Sequence, residues 1–473
     1  PGSSTVSIGF SWAIGVQNWV DKNENESYTA RHECSFVQAG NKFYLMGGRE
    51  NPKTLDLYDY TSNSWTALAN SAPVDFNHYQ AIEYQGLIWV IGAFKTNAYP
   101  NEQSADYIWA FDPAAQDWIQ GPEIPADRKR GSAGLAVYND KFYIVGGNTN
   151  GHDGGYVNWF DEYDPATGIW TPLSNALRAR DHFHAVVIGD KLYAAGGRLT
   201  DYPNNVFNQT IPEVDVFNFS TNTWSTLSAN LPTERGGASA VNFNNKLLVI
   251  GGEVVGSALK TTEQFDPTTG LWTTVQDLNH QRHGTQAIVS GDGVFTTAGS
   301  PNQGGGNQKN MEYLGTDNPI GSPSVASVLS APNTLEIGVG SSSNFEVGIA
   351  SGNVGIIVKS FQISGPNADE FNITSGNLIN GLMHPNSTHP VTVAYSGSAE
   401  GHTATLTINY GATNQKQILL QSGTGTPQTG VVSFTLVNAD ADTDLFTISD
   451  GLQIEQSDTQ GIGLNIRANT IPT

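Results

Sequence analysis

One stretch of the sequence places ionisable side chains directly before a strongly apolar segment. Residues 178–197 read RARDHFHAVVIGDKLYAAGG, and the polar part contains Arg180, Asp181, His182 and His184. Histidine exchanges protons near neutral pH, and the planar guanidinium of arginine pairs with carboxylate or sulfate groups. The stretch therefore predicts a polar site at the entrance of a buried β-hairpin, and the rest of the chain must supply the elements that position it.

The same arrangement recurs along the chain at a fixed spacing. An arginine precedes a glycine pair, or the Ala-Gly at 298–299, by sixteen residues in five places, and Phe76 occupies this position in a sixth. The five arginines are Arg31, Arg130, Arg180, Arg235 and Arg282. In each of the first five repeats, an aromatic-rich strand, a turn and a tryptophan follow the glycine pair or, in the second repeat, Gly92-Ala93. Such units, each of roughly 45 to 55 residues, predict a repeat fold in which neighbouring units bury each other's apolar faces.

The repeats resemble a known family. The segments KFYLMGG, KFYIVGG, KLYAAGG and KLLVIGG, each followed by an aromatic strand and Trp, resemble Kelch repeats over about residues 19–314. The resemblance implies an all-β fold with a six-bladed β-propeller, whose four-stranded blades surround a central channel. The last repeat lacks its Trp strand, and Trp19 stands twelve residues before Arg31. We therefore expect the N-terminal strand near Trp19 to complete the last blade.

In a propeller of this kind the polar start of each repeat lies at one mouth of the channel. The position two residues after the arginine holds Glu33, His78, Ser132, His182, Gly237 and Gly284. Large ionisable groups among small residues predict a pocket with room for a ligand. The candidate acid and base residues at this mouth are Glu33, His78, His182, His184 and His283.

The five repeated arginines have two interpretations. They either form structural bonds to backbone carbonyls and carboxylates, or they face the channel as a cationic ring for an anionic ligand. The long loops after the glycine pairs add aromatic and polar groups of the kind that stack on sugar rings and bond to their hydroxyls. The candidate substrate-binding residues are Arg31, Arg130, Arg180, Arg235, Arg282, His32, Asp153, Trp159 and Tyr202.

Three functions fit this site. The first is a secreted carbohydrate-directed protein that binds an anionic polysaccharide or other glycan, and that acts as a lyase or hydrolase if it is an enzyme. The second is a non-catalytic adhesin or protein-interaction scaffold. The third is copper oxidation, because the repeats also resemble galactose oxidase, in which a cysteine and a tyrosine of consecutive blades form one ligand. Cys34 and Tyr79 each precede their glycine anchor by thirteen residues, but Phe183 stands where that family would have tyrosine. We therefore expect no resident cofactor and no copper.

Composition limits the partners and favours one location. The net charge of −22 argues against nucleic acid and anionic membrane surfaces as partners. The sequence contains no run of 18 or more apolar residues, so we expect no membrane insertion. Cys34 is the only cysteine, and the polar, acidic composition favours an extracellular or bacterial cell-surface protein. No signal peptide is visible, and a leader could already have been removed. The oligomeric state is not defined by the sequence.

The remaining chain predicts further β modules. We expect the propeller over residues 1–317, a Gly/Ser/Pro linker over 318–333 and an Ig-like β-sandwich over 334–425. The sandwich segment resembles the choice-of-anchor or ASPM-SPD-2-hydin type of module. Residues 426–473 read as the start of another β module that we expect to continue in the native chain. There Asp440, Asp442 and Asp444 alternate as in calcium loops, which leaves Ca²⁺ as an option, but Leu445 and Gly451 do not fit an EF-hand.

Overall fold

The computed structural model describes residues 18–423 and three short strands at 434–437, 444–448 and 466–468. In these ranges the chain consists of β-strands and turns, with two single-turn 3-10 helices at Gly151–Asp153 and Ala368–Glu370. The described residues include no helix that is long and apolar enough to cross a membrane. The all-β prediction is confirmed.

Six antiparallel four-stranded sheets follow one another along the chain, one for each sequence repeat. Short runs of β-branched and aromatic residues form the strands, and Gly- and Asn-containing turns join them. The first strand is β1 (Trp19–Asp21). Sheet 1 contains β2 (Cys34–Ala39), β3 (Lys42–Gly47), β4 (Leu55–Asp59) and β5 (Ser64–Ala67). Sheet 2 contains β6 (Ala81–Tyr84), β7 (Leu87–Val90), β8 (Tyr107–Asp112) and β9 (Asp117–Glu123).

The next four repeats have the same strand order. Sheet 3 contains β10 (Gly134–Tyr138), β11 (Lys141–Val145), β12 (Phe160–Asp164) and β13 (Ile169–Pro172). Sheet 4 contains β14 (Ala185–Ile188), β15 (Lys191–Ala194), β16 (Asp215–Asn218) and β17 (Thr223–Thr226). Sheet 5 contains β18 (Ser239–Phe243), β19 (Lys246–Ile250), β22 (Thr262–Asp266) and β23 (Leu271–Val275), with the hairpin β20 (Glu253–Val254) and β21 (Ser257–Ala258) inserted. Sheet 6 contains β24 (Ala287–Ser290), β25 (Gly293–Thr296) and β26 (Glu312–Gly315).

The N-terminal strand completes sheet 6 and brings the two ends of this region together. β1 pairs antiparallel with β26, with Trp19 opposite Leu314 and Asp21 opposite Glu312. The first strands of the sheets contact one another in the cyclic order β2, β6, β10, β14, β18, β24 and again β2. The six sheets therefore surround one central channel, and their first strands line it.

The repeated arginines do not face this channel, which corrects their assignment as substrate-binding residues. Each guanidinium donates to the carbonyl oxygen of the residue sixteen positions later and forms an ion pair with a carboxylate on the third strand of its own sheet. All five side chains are almost completely buried. The ion pairs are Arg31–Asp56, Arg130–Asp161, Arg180–Asp215, Arg235–Glu263 and Arg282–Glu312. The fixed spacing therefore reflects an internal bond, and none of these five guanidinium groups is left for a glycan.

In sheet 2, two aromatic rings occupy the positions that hold the arginine and the carboxylate in the other sheets. Its arginine position holds Phe76, and Trp109 lies opposite Val90 at the register where the other sheets carry the carboxylate. The two rings lie 6.4 Å apart in an edge-to-face arrangement. Both members of the ion pair are thus exchanged together, so neither a guanidinium nor a carboxylate is buried without a counter-ion.

The C-terminal part forms two packed sheets with one apolar core between them. One sheet contains β27 (Val328–Ser330), β29 (Ser342–Ser351), β33 (Thr388–Tyr395) and β31 (Phe371–Ser375). The other contains β28 (Thr334–Gly338), β35 (Asn414–Gly423), β34 (Thr403–Tyr410), β30 (Ile356–Ser364) and β32 (Gly381–Met383). Beyond them, β36 (Phe434–Val437), β37 (Asp444–Ile448) and β38 (Ile466–Ala468) pair with one another.

This C-terminal unit packs on the end of the sheets that is opposite the repeated arginines. The amide of Gly355 donates to the carbonyl of Gln85 in the β6–β7 turn, and Leu382 donates to Pro165 in the β12–β13 turn. Val354 lies in the same apolar cluster as residues of sheets 2 and 3. The expected linker at 318–333 is too long at its C-terminal end, because β27 lies inside it and pairs with β29.

Trp19 tests the closure of the ring. Its indole N–H donates to Thr262 Oγ1 at 3.1 Å, and its ring packs in the core between sheets 5 and 6. We expect Trp19→Ala to reduce the free energy of unfolding by about 3–5 kcal/mol, as for other buried tryptophans. Val20→Ala on the same strand, where the side chain is exposed, should change it by less than about 0.5 kcal/mol. Urea unfolding of both variants measures the difference, and equal effects would contradict closure by β1.

Arg31 tests the structural role of the arginines. Arg31→Met leaves the buried Asp56 carboxylate without its counter-ion, so we expect a loss of about 3–5 kcal/mol in the free energy of unfolding. Lys141→Met removes a cation from the exposed pair with Glu162 and should cost at most about 1 kcal/mol. Thermal and urea unfolding compare the two variants. A stable Arg31→Met protein with altered ligand binding would instead support a channel-facing arginine.

Candidate functional site

A ring of backbone hydrogen bonds joins the six sheets at the channel mouth. Each bond runs from an amide N–H at the start of one sheet to a carbonyl of the neighbouring sheet at 2.7–3.2 Å. The ring residues all have a left-handed backbone, with φ between +50° and +63°. They are Glu33, His78, Ser132, His182, Gly237 and Gly284. The structure thus brings together the position that the sequence singled out two residues after each arginine.

Below this ring lies a small cavity with a closed floor. Its wall includes Glu33, His78, His182 and His184. Gln80 of sheet 2 reaches across the channel, where its side-chain N–H donates to Ala185 of sheet 4 and its oxygen accepts from the amide of Leu135. Gln286 of sheet 6 makes a similar pair of bonds with Ala81. These amide side chains cross the channel, so a ligand reaches the cavity from the mouth.

Three histidines from three sheets face one another at the mouth, and we call them the three-histidine cluster. They are His78, His152 and His182, with ring centroids 4.9–5.0 Å apart. His78 and His182 come from the backbone ring, whereas the 3-10 turn Gly151–Asp153 after β11 supplies His152. One nitrogen of each ring lies within 4.8 Å of the others, and all three side chains are buried. Such a group can ligate a metal ion.

The remaining ionisable groups form a second cluster beside the first. Glu33 lies between His78 and His283, with carboxylate–imidazole distances of 3.5 and 3.7 Å. His283 also lies 3.5 Å from Glu253, which pairs with Arg198. His32 Nδ1 lies 2.7 Å from Glu50. These histidines each have a carboxylate neighbour, so charge on the imidazoles and on the carboxylates is mutually favourable.

The surroundings of the histidines at the mouth shift their pKa values in different directions. Burial lowers the pKa of His152 to about 4 despite its bond to Glu102, and burial also lowers the pKa of His184 to about 4. Burial takes the pKa of His78 well below its usual range. Burial opposes charge on His32 as well, but the hydrogen bond that its imidazole donates to Glu50, together with nearby carboxylate charge, outweighs burial and raises the pKa of His32. The neutral imidazole therefore prevails at His78 and His152 at neutral pH.

The candidates on the outer loops divide into two groups. Trp159 covers the guanidinium groups of Arg128 and Arg130, at 5.1 and 5.5 Å, so it belongs to the packing of sheet 3 rather than to the channel mouth. Asp153 is exposed beside His152. Tyr202 lies at the mouth with 41% of its side chain exposed, and its ring is 5.7 Å from that of Tyr99.

The galactose oxidase arrangement does not fit these residues. The Cys34 thiol is buried, and its nearest polar atoms are Thr285 Oγ1 at 3.7 Å and two backbone carbonyls. Burial raises the pKa of that thiol to about 12. Phe183 offers no oxygen ligand at the position of the family's tyrosine, so we derive no copper chemistry from Cys34 and Tyr79. Of the suggested calcium residues, Asp440 and Asp442 lie outside the described residues.

The sequence pointed to the band of residues at the mouth but missed the groups that orient it. Nδ1 of His78 bonds to Asn77 at 2.7 Å, and Nδ1 of His182 bonds to Asp181 at 2.5 Å. These pairs are adjacent in sequence, so the dipeptides Asn-His and Asp-His were the available signal. Glu102, which holds His152 Nδ1 at 3.1 Å, lies fifty residues away on another loop and carried no signal.

Comparison with known proteins places this fold in a family. The KLHDC2/KLHL20/DRC7 Kelch-repeats domain matches residues 17–197 and 135–312. The chain is similar to Kelch-like protein terF of Aspergillus terreus, with 26% identity over 57% of this chain and 62% of that protein. It is also similar to human Kelch-like protein 23, with 24% identity over 54% of this chain and 43% of that protein.

A further relative and a solved structure are also similar to this chain. Alpha-scruin of Limulus polyphemus is 26% identical over 40% of this chain and 21% of its own length. The structure of YjhT superposes with a TM-score of 0.52 at 15% identity, covering 61% of this chain and 95% of that one, which shows a shared fold. The chain thus spans between about a fifth and three fifths of these three curated relatives. Because the domain model covers well over half of its length, the chain belongs to the Kelch-repeat family and folds as a Kelch β-propeller.

Proposed function

We propose that this chain is a non-catalytic protein-interaction scaffold that binds a partner protein through the loops at the channel mouth. Kelch repeats act in protein interaction, and the relatives are Kelch-like proteins and scruin, which favours a scaffold over an enzyme. The observation that carries the proposal is a pair of exposed aromatic rings at the mouth, Tyr99 and Tyr202. Their side chains are 52% and 41% exposed although they lie against each other and against His152.

The two tyrosines have the properties of interface anchors. Tyrosine buries a large area on binding with little loss of side-chain entropy, and it is enriched among the residues that dominate binding energy. The guanidinium of Arg49 stacks 5.7 Å from the Tyr99 ring and also pairs with the buried Glu102. The backbone amide of Tyr202 donates to the carbonyl of His152. The rings are therefore held in place before a partner arrives, which reduces the entropy lost on binding.

The positions of the arginines argue against binding of an anionic polysaccharide at the mouth. The case for an anionic polysaccharide rested on a ring of guanidinium groups at the mouth, and these groups are buried in internal ion pairs. With the channel crossed by Gln80 and Gln286, the cavity is also too small to thread a polymer. A lyase or hydrolase needed these guanidinium groups to neutralise the substrate, in addition to Glu33 and the histidines as acid and base, so this assignment is not retained.

The proposal includes a domain arrangement. The six sheets act as six blades of the propeller, closed by β1, and the two C-terminal sheets act as an Ig-like module. This module covers the face opposite the mouth, so it leaves the tyrosine pair free for a partner. The extracellular or cell-surface location remains a proposal based on composition.

Tyr99 and Tyr202 test the proposed docking surface. Peptides selected from a random display library on the wild-type protein should lose about tenfold in affinity with Tyr99→Ser and with Tyr202→Ser, because hot-spot residues contribute about 1.4 kcal/mol or more. Leu271→Ser on the outer strand β23, where the side chain is 63% exposed, is the matched control and should bind normally. Fluorescence anisotropy measures the affinities. Selected peptides that bind both tyrosine variants as well as the wild type would refute this surface.

A further inference from the structure

In the three-histidine cluster, two of the imidazole nitrogens have no hydrogen-bond partner among the described residues. The ring centroids of His78, His152 and His182 form a nearly equilateral triangle with sides of 4.9–5.0 Å. The rings are turned by 68–81° relative to one another, so they do not stack. Nε2 of His78 and Nε2 of His182 are buried and have no hydrogen-bond partner among the described residues. Because buried polar atoms nearly always have a partner, an ion or a water molecule is expected to bind to these nitrogens.

The outer nitrogens fix which atom of each ring faces inward. Asp181 and Glu102 are carboxylates that accept from Nδ1 of His182 and His152, so those nitrogens carry the proton. Thr200 donates to both oxygens of Asp181 and holds it in place.

His78 is oriented in the same way by an amide. The side-chain NH₂ of Asn77 donates to the carbonyls of Asp75 and Thr96, so its oxygen faces Nδ1 of His78 and accepts from it. A neutral imidazole that carries its proton on Nδ1 has a lone pair on Nε2. Each of the three rings therefore has a lone pair on Nε2, and at the mouth one nitrogen of each ring lies within 4.8 Å of the others.

We propose that this cluster binds a Zn²⁺ ion through Nε2 of His78, His152 and His182. Three imidazole ligands whose other nitrogen is held by a carboxylate or amide oxygen are the ligand set and outer shell that zinc sites use. Zinc–nitrogen bonds of about 2.0–2.1 Å require each nitrogen to move by less than about 1 Å from a triangle with sides of at most 4.8 Å. The site goes beyond the interaction scaffold and does not depend on it.

The second cluster differs in that carboxylates face its imidazoles. His32, Glu33 and His283 also approach one another closely, with Glu50 at 2.7 Å from His32 and with Glu33 and Glu253 at 3.7 and 3.5 Å from His283. In the three-histidine cluster Asp181 and Glu102 bond to the outer nitrogens, and the Glu33 carboxylate lies 3.5 Å from Nε2 of His78. The fourth position of the zinc ion then belongs to Glu33 or to water on the side of the mouth.

Zinc binding to tag-free full-length protein tests the site. After removal of metals with a chelator and reconstitution with ZnCl₂, we expect one zinc per chain by elemental analysis. The affinity is measured by competition with a chromophoric chelator. His152→Ala should weaken it at least 100-fold, and His182→Asn should do the same while keeping a residue that tolerates the left-handed backbone. Glu102→Gln alters only the outer shell and should weaken binding about 10- to 100-fold.

A neighbouring histidine provides the matched control. His184 lines the same cavity but is not a ligand, so His184→Ala should bind zinc like the wild type. Circular dichroism and melting in chelator establish that each variant is folded, and Co²⁺ absorption reports a four-coordinate site in the wild type and its loss in His152→Ala. Wild-type protein that binds no zinc, or zinc affinity that is unchanged in both His152→Ala and His182→Asn, would overturn the proposal. Equal losses in His184→Ala would also overturn it, because the ligands would then be different.

Discussion

The ring of hydrogen bonds between neighbouring sheets is the interaction on which the rest of this propeller depends. At five of the six ring positions the amide donates to a carbonyl of the preceding sheet. In sheet 1 the amide of Cys34, next to Glu33, closes the circle by donating to Gly284. The geometry requires a left-handed backbone at each ring position, which costs an L-residue with a side chain roughly 1–2 kcal/mol. Gly237 and Gly284 avoid that cost, whereas Glu33, His78 and His182 bear it. Strain of this kind at ionisable residues concentrates where a protein has a functional site.

The arginine ion pairs stabilise five of the six sheets at the start of the repeat, beyond the reach of the ring of hydrogen bonds. The chain at the start of a repeat does not form a regular strand. Without the arginine, the buried carbonyl of the residue sixteen positions after it would lack this hydrogen-bond donor. The guanidinium satisfies that carbonyl and, with its remaining N–H groups, a carboxylate of the third strand. The Phe76–Trp109 pair of sheet 2 shows that the requirement is paired burial, and that charge is one way to meet it. A protein of net charge −22 can thus bury five guanidinium groups without presenting a positive surface.

The periodicity of the sequence was enough to predict the strands and the residues at the mouth. The sequence did not predict features that depend on the direction of a side chain. Register in the repeats was sufficient to place the four strands of each sheet, the role of Trp19 and the band of residues at the mouth. It could not say whether Arg180 points along the sheet or into the channel, because both directions are compatible with the same spacing. His152 was visible only as part of a loop, and loop conformation depends on contacts such as that with Glu102, which are distant in sequence.

The two faces of the propeller therefore have different physical roles. Far from the mouth, the short turns of sheets 2 and 3 are covered by the C-terminal unit, and their backbone groups bond to Gly355 and Leu382. At the mouth, long loops carry the exposed tyrosines over a buried polar site, and the Gln80 and Gln286 side chains close the channel beneath it. A molecule that binds to Tyr99 and Tyr202 must then cover His152, because its ring lies 5.0 Å from Tyr99. Occupancy of the three-histidine cluster and binding at the surface above it are for this reason expected to be coupled, since both depend on the position of the same loop.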